Sequence, residues 1–494
     1  MISKYYINLL FFFPLLLFGK IQYSHKGYFD LGSIHRLSDA SLIKIPYRMA
    51  TYESNTSYNN FNLYLSTALE FRLMDANNLF NSKLLLDLRE IYLEWLIPIG
   101  DISLGKQIIT WGSASVNNPT DIISPYNYYY LFSKGKEQKE GLLSLNSNLY
   151  INNIKMNFIF IPNHNFHIIP INDKEFPIGI PIEDPGTNEL ISISNNQIDN
   201  LNNIYEYGLS ITLPFSLFDF TTSYFSGYDR AFSFFGANLW TGANSNPDAI
   251  KTDIVLSYRK TNMIGLGLSG IINNLSYRLD FGYFKTDDNL NNISDSTLYR
   301  YWEAGVKEIE LQCEESNEAS SWNPIFVPMN CNNYAKFNNS QPIDNKANFK
   351  QYTLELEYSP TYDLKIISQI STSKLIEIGK ADSIITSRET IMFDPLDYFI
   401  PGIGIPNSFI TERSLTLLLE KEFHDLNFKC QFFSIIDLDK KGSINEINVE
   451  YKIFNNTKLI MAVNKIYDNN NIKLNPFSEM KDFSHFRAEI KYFY

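Results

Sequence analysis

The last ten residues, HFRAEIKYFY, alternate without a break. Phe486, Ala488, Ile490, Tyr492 and Tyr494 fall on one face of an extended strand, and His485, Arg487, Glu489 and Lys491 on the other. Successive side chains of a strand point to opposite faces, so such a segment needs apolar surroundings on one side and water on the other. The same period of two recurs along the chain. Within 445–454, Ile447, Val449, Tyr451 and Ile453 oppose Glu446, Asn448, Glu450 and Lys452. Within 426–438, Leu426, Phe428, Cys430, Phe432, Ile436 and Leu438 oppose Asn427, Lys429, Gln431 and Asp437; within 89–97, Ile91, Leu93, Trp95 and Ile97 oppose Glu90, Tyr92 and Glu94. A helical period of 3.6 fits none of these windows as well.

Composition removes the competing classes. Beyond residue 20 no apolar run approaches the ~18 residues of a membrane-spanning helix. The net charge of −12 excludes a basic nucleic-acid footprint. Three Cys in 494 residues cannot build a disulfide scaffold. With 19% charged and 15% aromatic residues, a soluble all-β protein and a membrane β-barrel remain.

The opening MISKYYINLLFFFPLLLFGK decides between them. Lys4 provides a positive n-region and Ile7 to Phe18 an apolar h-region, the pattern of a secretory signal peptide. It is assigned to residues 1–24; Gly19 and Ser24 each supply a small residue, so the cleavage point stays open. The terminal strand resembles the C-terminal strand of bacterial outer-membrane barrels, whose final aromatic residue is read by the assembly machinery. The expected fold is an all-β, transmembrane antiparallel β-barrel of about 18 strands (16–20) with long outer loops.

Connection lengths support this, because such barrels pair short periplasmic turns with longer outer loops. Counting back from the C-terminus puts 468–484, 439–442, 373–410, 312–348, 229–250, 162–203 and 112–140 outside. It puts turns at 455–456, 424–425, 359–362, 260–262, 214–217, 151–153 and 98–101 inside. Two connections fit poorly: 287–299 is long for an inner turn, and Asn273-Asn274 is short for an outer one. Strands counted from about residue 60 number 18. Residues 25–59 form a periplasmic stretch or two first strands, Tyr28 to Ile34 and Ile43 to Tyr52, and 60–494 the barrel.

The block LGKQIITWGSASVNNPTDIISPYN, 104–127, breaks the alternation. Its G-[KR]-Q-x-x-x-W-G and N-P-x-D elements resemble a porin-like family of large, mostly uncharacterised Gram-negative outer-membrane β-barrel proteins. Gly105, Lys106, Gln107, Trp111, Gly112, Asn118, Pro119 and Asp121 carry the match. A second patch, Ser223 to Arg230, resembles a strand-closing block of the same family, without its usual following Pro. The resemblance implies a barrel in the outer membrane and names no substrate.

Read physically, one of Lys106 and Gln107 must face the lumen. Trp111 suits an aromatic girdle at the membrane interface, and Asn118, Pro119 and Asp121 supply turn chemistry. The block either pins loop 112–140 to the wall or also forms a constriction, with Lys106, Gln107 or Asp121 as selectivity groups.

Other chemistry is sparse. His164 and His167 form an H-x-x-H pair near Asp173, Glu175, Glu183 and Asp184, with no helix to fix a metal geometry. No G-x-S-x-G elbow and no phosphate-binding glycine loop occurs, so neither enzyme activity nor a cofactor is expected. Gly265 to Gly270 sits in an alternating strand, where Gly marks a bend or bulge. Cys313 and Cys331, 18 residues apart in one outer loop, are placed to bridge in an oxidising compartment. The paired charges Glu70 and Arg72, Arg278 and Asp280, and Glu355 and Glu357 read as solvated wall residues.

The expected function is passive passage of small solutes through an outer-membrane porin-like channel. The alternatives are a non-conducting surface-binding or structural protein, and a plugged transporter for apolar molecules, the latter suggested by Pro162, Pro170, Pro177, Pro181 and Pro185 in loop 162–203. Expected partners are outer-membrane lipid, lipopolysaccharide, and the barrel-assembly machinery through the strand ending at Tyr494.

Overall fold

The computed structural model describes residues 21–72, 83–130, 133, 135–170, 173, 175–176, 201, 204–241, 250–287, 336–385, 390–468 and 476–494. The segment read as an export signal lies outside these residues up to position 20.

Eighteen antiparallel strands close on themselves. They are β1 (Gln22–Arg36), β2 (Tyr47–Tyr58), β3 (Phe61–Arg72), β4 (Lys83–Ile97), β5 (Gly100–Gln107), β6 (Leu142–Ile151), β7 (Ile154–Ile161), β8 (Glu206–Pro214) and β9 (Phe218–Tyr228), followed by β10 (Lys260–Ile272), β11 (Leu275–Asp287), β12 (Ala347–Thr361), β13 (Leu364–Ile378), β14 (Arg413–Phe423), β15 (Phe428–Asp437), β16 (Ser443–Phe454), β17 (Thr457–Tyr467) and β18 (His485–Phe493). Each strand pairs with its sequence neighbour, and β18 pairs with β1 from Phe493↔Tyr28 to His485↔Arg36. Closure satisfies every edge, the only way a sheet can stand in hydrocarbon.

The period of two becomes an apolar outer wall. Leu86, Leu93, Trp95, Leu104, Ile264, Ile370, Ile447, Ile490 and Tyr492 are all exposed. On the inner face the alternate positions are polar and buried, among them Gln351, Thr353, Glu355, Gln369 and Asp280. A soluble sandwich hides its apolar face and wets its polar one; this chain does the reverse. It is a transmembrane β-barrel.

The strand number agrees with expectation, but the assignment of strands shifts. Residues 22–58 supply β1 and β2, so 16 strands follow residue 60, not 18. One surplus strand, near 250–257, is real but belongs to a separate three-stranded sheet with Ser233–Thr241 and Lys336–Pro342. The other, between 299 and 312, falls outside the described residues. Removing both reverses the sides of the two misfit connections. Asn273-Asn274 is a tight turn on the short-turn side, with Asn273 at φ 53°, and 288–346 is a long connection on the loop side. The turn read at 260–262 is instead the start of β10.

Short turns thus cluster at one end and all long connections at the other. β1 begins at Gln22, within the span assigned to the signal, and Gln22, Tyr23 and Ser24 already pair with Ser57, Thr56 and Asn55. Cleavage at Gly19 leaves this pairing whole.

The loop-side half of the interior is packed. One apolar cluster joins Ile43, Tyr128, Phe176, Ile410, Phe477 and Phe483. A second joins Trp111, Ile122, Ile123, Phe225, Met263, Phe284 and Ile403.

Candidate functional site: a strap across the lumen

Between β5 and β6 the chain leaves the wall and crosses the barrel. The exit is fixed at β4, where the pairing shifts between Ser66↔Glu90 and Thr67↔Leu88 and leaves Arg89 as an extra residue. Arg89 donates to the Lys136 carbonyl at 2.7 Å. Glu90 accepts the Ile108 amide at 2.9 Å. Both ends of the crossing segment are therefore held to one strand.

The far end of the strap is held by acceptors on the facing wall. Asp280 on β11 accepts the Ser113 amide at 3.0 Å, the Ser113 hydroxyl at 2.9 Å and the Ala114 amide at 2.7 Å. Glu355 on β12 accepts both the amide and the hydroxyl of Ser115 at 2.8 Å. Gln369 on β13 accepts the Asn117 amide at 2.9 Å. Strands β5 and β13 stand eight places apart in a ring of eighteen, so the strap runs close to a diameter. Hydrogen bonds to charged acceptors contribute ~1.5–3 kcal/mol each, which makes this a firm anchorage.

Small residues on the wall make room for it. A Cβ on Gly265 would stand 2.8 Å from the Thr120 methyl and 2.2 Å from Ser223 Oγ, and one on Gly282 would stand 3.3 Å from the Pro119 carbonyl. No register shift accompanies the glycines of β10 in its pairing with β11. The expected bend or bulge is replaced by the other use of strand glycine, close approach of another backbone.

The strap's turn is organised as its sequence suggests. Asn118 Oδ1 accepts the Thr120 amide at 2.9 Å, and its Nδ2 donates to the carbonyls of Trp111 and Ala114, each at 3.3 Å. Gly112 adopts φ +79°, and a Cβ there would lie 2.2 Å from Asn118 Nδ2. Gly105 sits at φ +142° with the Ile91 carbonyl 2.3 Å from where its Cβ would be.

Three expectations for this block need correction. Lys106 pairs with Ile91 and Leu143, which are both exposed on the outer wall. Its ammonium donates to the Leu88 carbonyl at 2.5 Å, so it is not a lumen charge. Gln107 is the inward member of the pair, accepting from the Ser103 hydroxyl at 2.8 Å and donating to the Ser144 carbonyl at 3.1 Å. Asp121 is spent inside the strap: it accepts the Trp111 amide at 3.1 Å and pairs with the buried Lys139 ammonium. Trp111 is buried within the barrel and donates its indole N–H to Asn157 at 2.8 Å; it belongs to no girdle. Burial pushes Lys139 below its ordinary pKa, and the adjacent Asp121 carboxylate works against that shift.

A buried hub ties the strap to two other loops. Arg230, fully buried, donates to Glu206 Oε1 at 3.0 Å, to the Asn165 carbonyl at 2.9 Å and to the Ile123 carbonyl at 3.1 Å. Its own amide donates to the Gly402 carbonyl at 2.8 Å. His164 Nδ1 lies 2.9 Å from Glu206. His167 Nδ1 instead accepts the Tyr126 amide at 2.8 Å. The two histidines thus serve different partners and do not converge. Of their acidic neighbours Asp173 pairs with Arg72 and Glu175 with Arg36; Glu183 and Asp184 lie outside the described residues, as do Cys313 and Cys331.

Among the described residues, two of the cavities lie below these packed loops against the strap. The first, about 390 Å³, lies between the strap and strands β4 to β11, and Glu94, Gln107, Asn148, Lys155 and Asp219 line it. The second, about 320 Å³, lies between the strap and β1, β2 and β15 to β18. In sequence, Arg278, Asp280 and Glu355 look like solvated wall charges. Asp280 and Glu355 are fully buried anchors, and Arg278 braces Glu355 at 2.5 Å. No signal near Asp280 and Glu355 in sequence identifies their strap partners, Ser113, Ala114 and Ser115, which lie more than 160 residues away.

No family model matches the chain, and no curated protein matches it. Solved structures of similar overall shape include OccAB3 of Acinetobacter baumannii, at 9% identity over 96% of this chain and 99% of that chain, with a TM-score of 0.45. OmpT, an outer membrane protein of Vibrio cholerae, is 9% identical over 96% and 98%, with a TM-score of 0.38. OccD3 (OpdP) of Pseudomonas aeruginosa is 6% identical over 96% and 91%, with a TM-score of 0.44.

Proposed function

We propose that this chain is a porin-like channel of the bacterial outer membrane, passing small solutes by diffusion and performing no chemistry. The observation that carries the reading is the pair of cavities left on either side of the strap, both lined in part by charged and amide side chains, in a closed barrel whose outer wall is apolar. Barrels of 16–18 strands enclose an aqueous lumen, and a strap along a diameter divides that lumen into two narrow lanes. Charged and amide side chains on the walls keep both lanes wet.

The likeness of the Gly105–Asp121 block to a porin-like family supports the same assignment. Outer-membrane lipid and lipopolysaccharide would surround the apolar wall, and the assembly machinery would read β18 with its terminal Tyr494. The test is single-channel recording of the folded, signal-less protein in a planar bilayer. Stepwise current is the expected result; a heat-modifiable, folded and silent barrel would overturn it.

A second reading rests on the two apolar clusters that pack the loop-side mouth. Ile123, Tyr128 and Phe477 are fully buried there, which supports reading the molecule as a plugged, non-conducting barrel. Silence that persists after the strap anchors are removed would establish this reading.

A further inference from the structure

The second cavity differs from the first in how its polar groups are spent. Asp30 on β1 is 6% exposed; its Oδ2 lies 3.0 Å from Lys491, while its Oδ1 has no hydrogen-bond partner. Arg48 on β2 is 4% exposed, and Glu70 and Glu137 take its Nε and Nη1 at 3.2 and 2.5 Å. Its Nη2 has no hydrogen bond, the nearest carboxylate, Glu140, standing at 3.8 Å. Asn448 Oδ1 on β16 and Arg487 Nε on β18 are also without one. All four residues line this single cavity. Buried polar groups are ordinarily satisfied, so two acceptors and two donors left over around one space describe a complement.

The charges constrain what that complement is. Asp30 already faces Lys491, Arg487 faces Glu489 at 3.1 Å, and Arg48 faces three carboxylates. Each of these cations has at least one carboxylate beside it, so none is free for an anion, and what remains unpaired is hydrogen-bonding capacity of both kinds. An anion would meet Asp30, and a cation would meet the guanidiniums. A hydroxyl both donates and accepts, so a neutral solute with several hydroxyls matches donors and acceptors alike with no charge to desolvate. The rings of Tyr130 and Tyr28 lie under Arg48 and Lys491, at 3.8 and 4.2 Å, and hold the two cations in place beforehand.

We propose that this cavity is a binding station for small neutral polyhydroxylated solutes of the sugar class. The proposal rests on the channel reading and names the solute for one of its two lanes.

The experiment adds sucrose, glycine or neither to the folded full chain in a planar bilayer, and repeats the sucrose titration by calorimetry in detergent. Sucrose is expected to reduce the current saturably, and Asn448→Ala, which changes no charge, to raise the half-blocking concentration at least threefold. Asp30→Asn should act in the same direction, and Lys155→Met in the other cavity should leave the block unchanged. The proposal is overturned by a current that follows bulk conductivity alone, by block with glycine but not sucrose, or by an unaltered block in Asn448→Ala. A silent barrel overturns the channel reading alone. In that case, saturable sucrose heat that weakens in Asn448→Ala still supports the station, and no heat overturns it.

Discussion

Tyr494, the final residue, exchanges backbone hydrogen bonds with Gly27 in both directions, each 3.1 Å long, and its hydroxyl donates to the Thr51 carbonyl at 2.9 Å. The seam of the barrel is thus closed by its last side chain lying over a residue without one. A Cβ on Gly27 would stand 2.2 Å from the Thr51 carbonyl and 2.5 Å from the Tyr494 hydroxyl. The carbonyl belongs to the wall and cannot step aside.

Gly27→Val should therefore block closure between β18 and β1. The expected outcome is loss of the heat-modifiable, compact band on unboiled gels. Tyr494→Ala, which removes contacts without adding a clash, should lower the folded yield and leave a normal band in what folds.

Removing the far anchor should free the strap. Asp280→Ala strands the Ser113 and Ala114 amides, forfeiting hydrogen bonds worth ~1.5–3 kcal/mol each, while β11 keeps its ladder on both sides. The unitary conductance is expected to rise and its noise to increase as the two lanes merge. Conductance equal to the parent would show that the strap is held without Asp280.

Gly112 offers a milder route to the same effect. The left-handed conformation costs an L side chain ~1–2 kcal/mol, and a Cβ at φ +79° also meets Asn118. Gly112→Ala should keep the barrel intact by gel shift but expose strap residues 112–118 to protease.

Charge reversal at the block separates inward from outward positions. Lys106→Glu, on the outer face beside Ile91, should leave ion selectivity unchanged, because its head is outside the lumen. Gln107→Glu, which lines the first cavity, should shift the reversal potential in a salt gradient toward cations.

The loop hub should weaken in acid. Burial holds His167 well below its ordinary pKa, and Arg230, His164 and Lys139 add to the shift. An unfolded histidine takes up its proton near pH 6.5, while this one resists it. Over that interval the unfolded state binds more protons, so stability falls as pH drops from about 6.5 toward the depressed folded value, at ~1.4 kcal/mol per unit. Protease sensitivity of loop 162–176 at pH 7.5 and 5 measures this. Arg230→Met should destabilise the hub at every pH by ~3–5 kcal/mol, since it leaves buried Glu206 uncompensated.

Alternation in segments such as 445–454 and 485–494, with the polar and apolar faces it prescribes, determined by itself that this chain forms strands with one wet and one greasy side. Closure followed, because a strand pair apolar on its outer face has no stable open form in lipid. Asn118 announced its turn for the same reason of locality: its partners, Trp111, Ala114 and Thr120, lie within seven residues of it in sequence. What the sequence could not decide was anything resting on contacts across the barrel. Whether Lys106 or Gln107 turned inward depended on the register of β5 against β4. Trp111 left the membrane interface because Asn157 accepted its indole N–H and Gly208, where a Cβ would stand 2.5 Å from the indole ring, left it a slot. Asp280 and Glu355 read as wetted wall charges until the strap arrived from residues 113–115. Gly265 read as a bend or bulge until Thr120 came to lie against it. Period and turn chemistry are properties of neighbours along the chain; the lumen belongs to residues brought together only when the eighteenth strand meets the first.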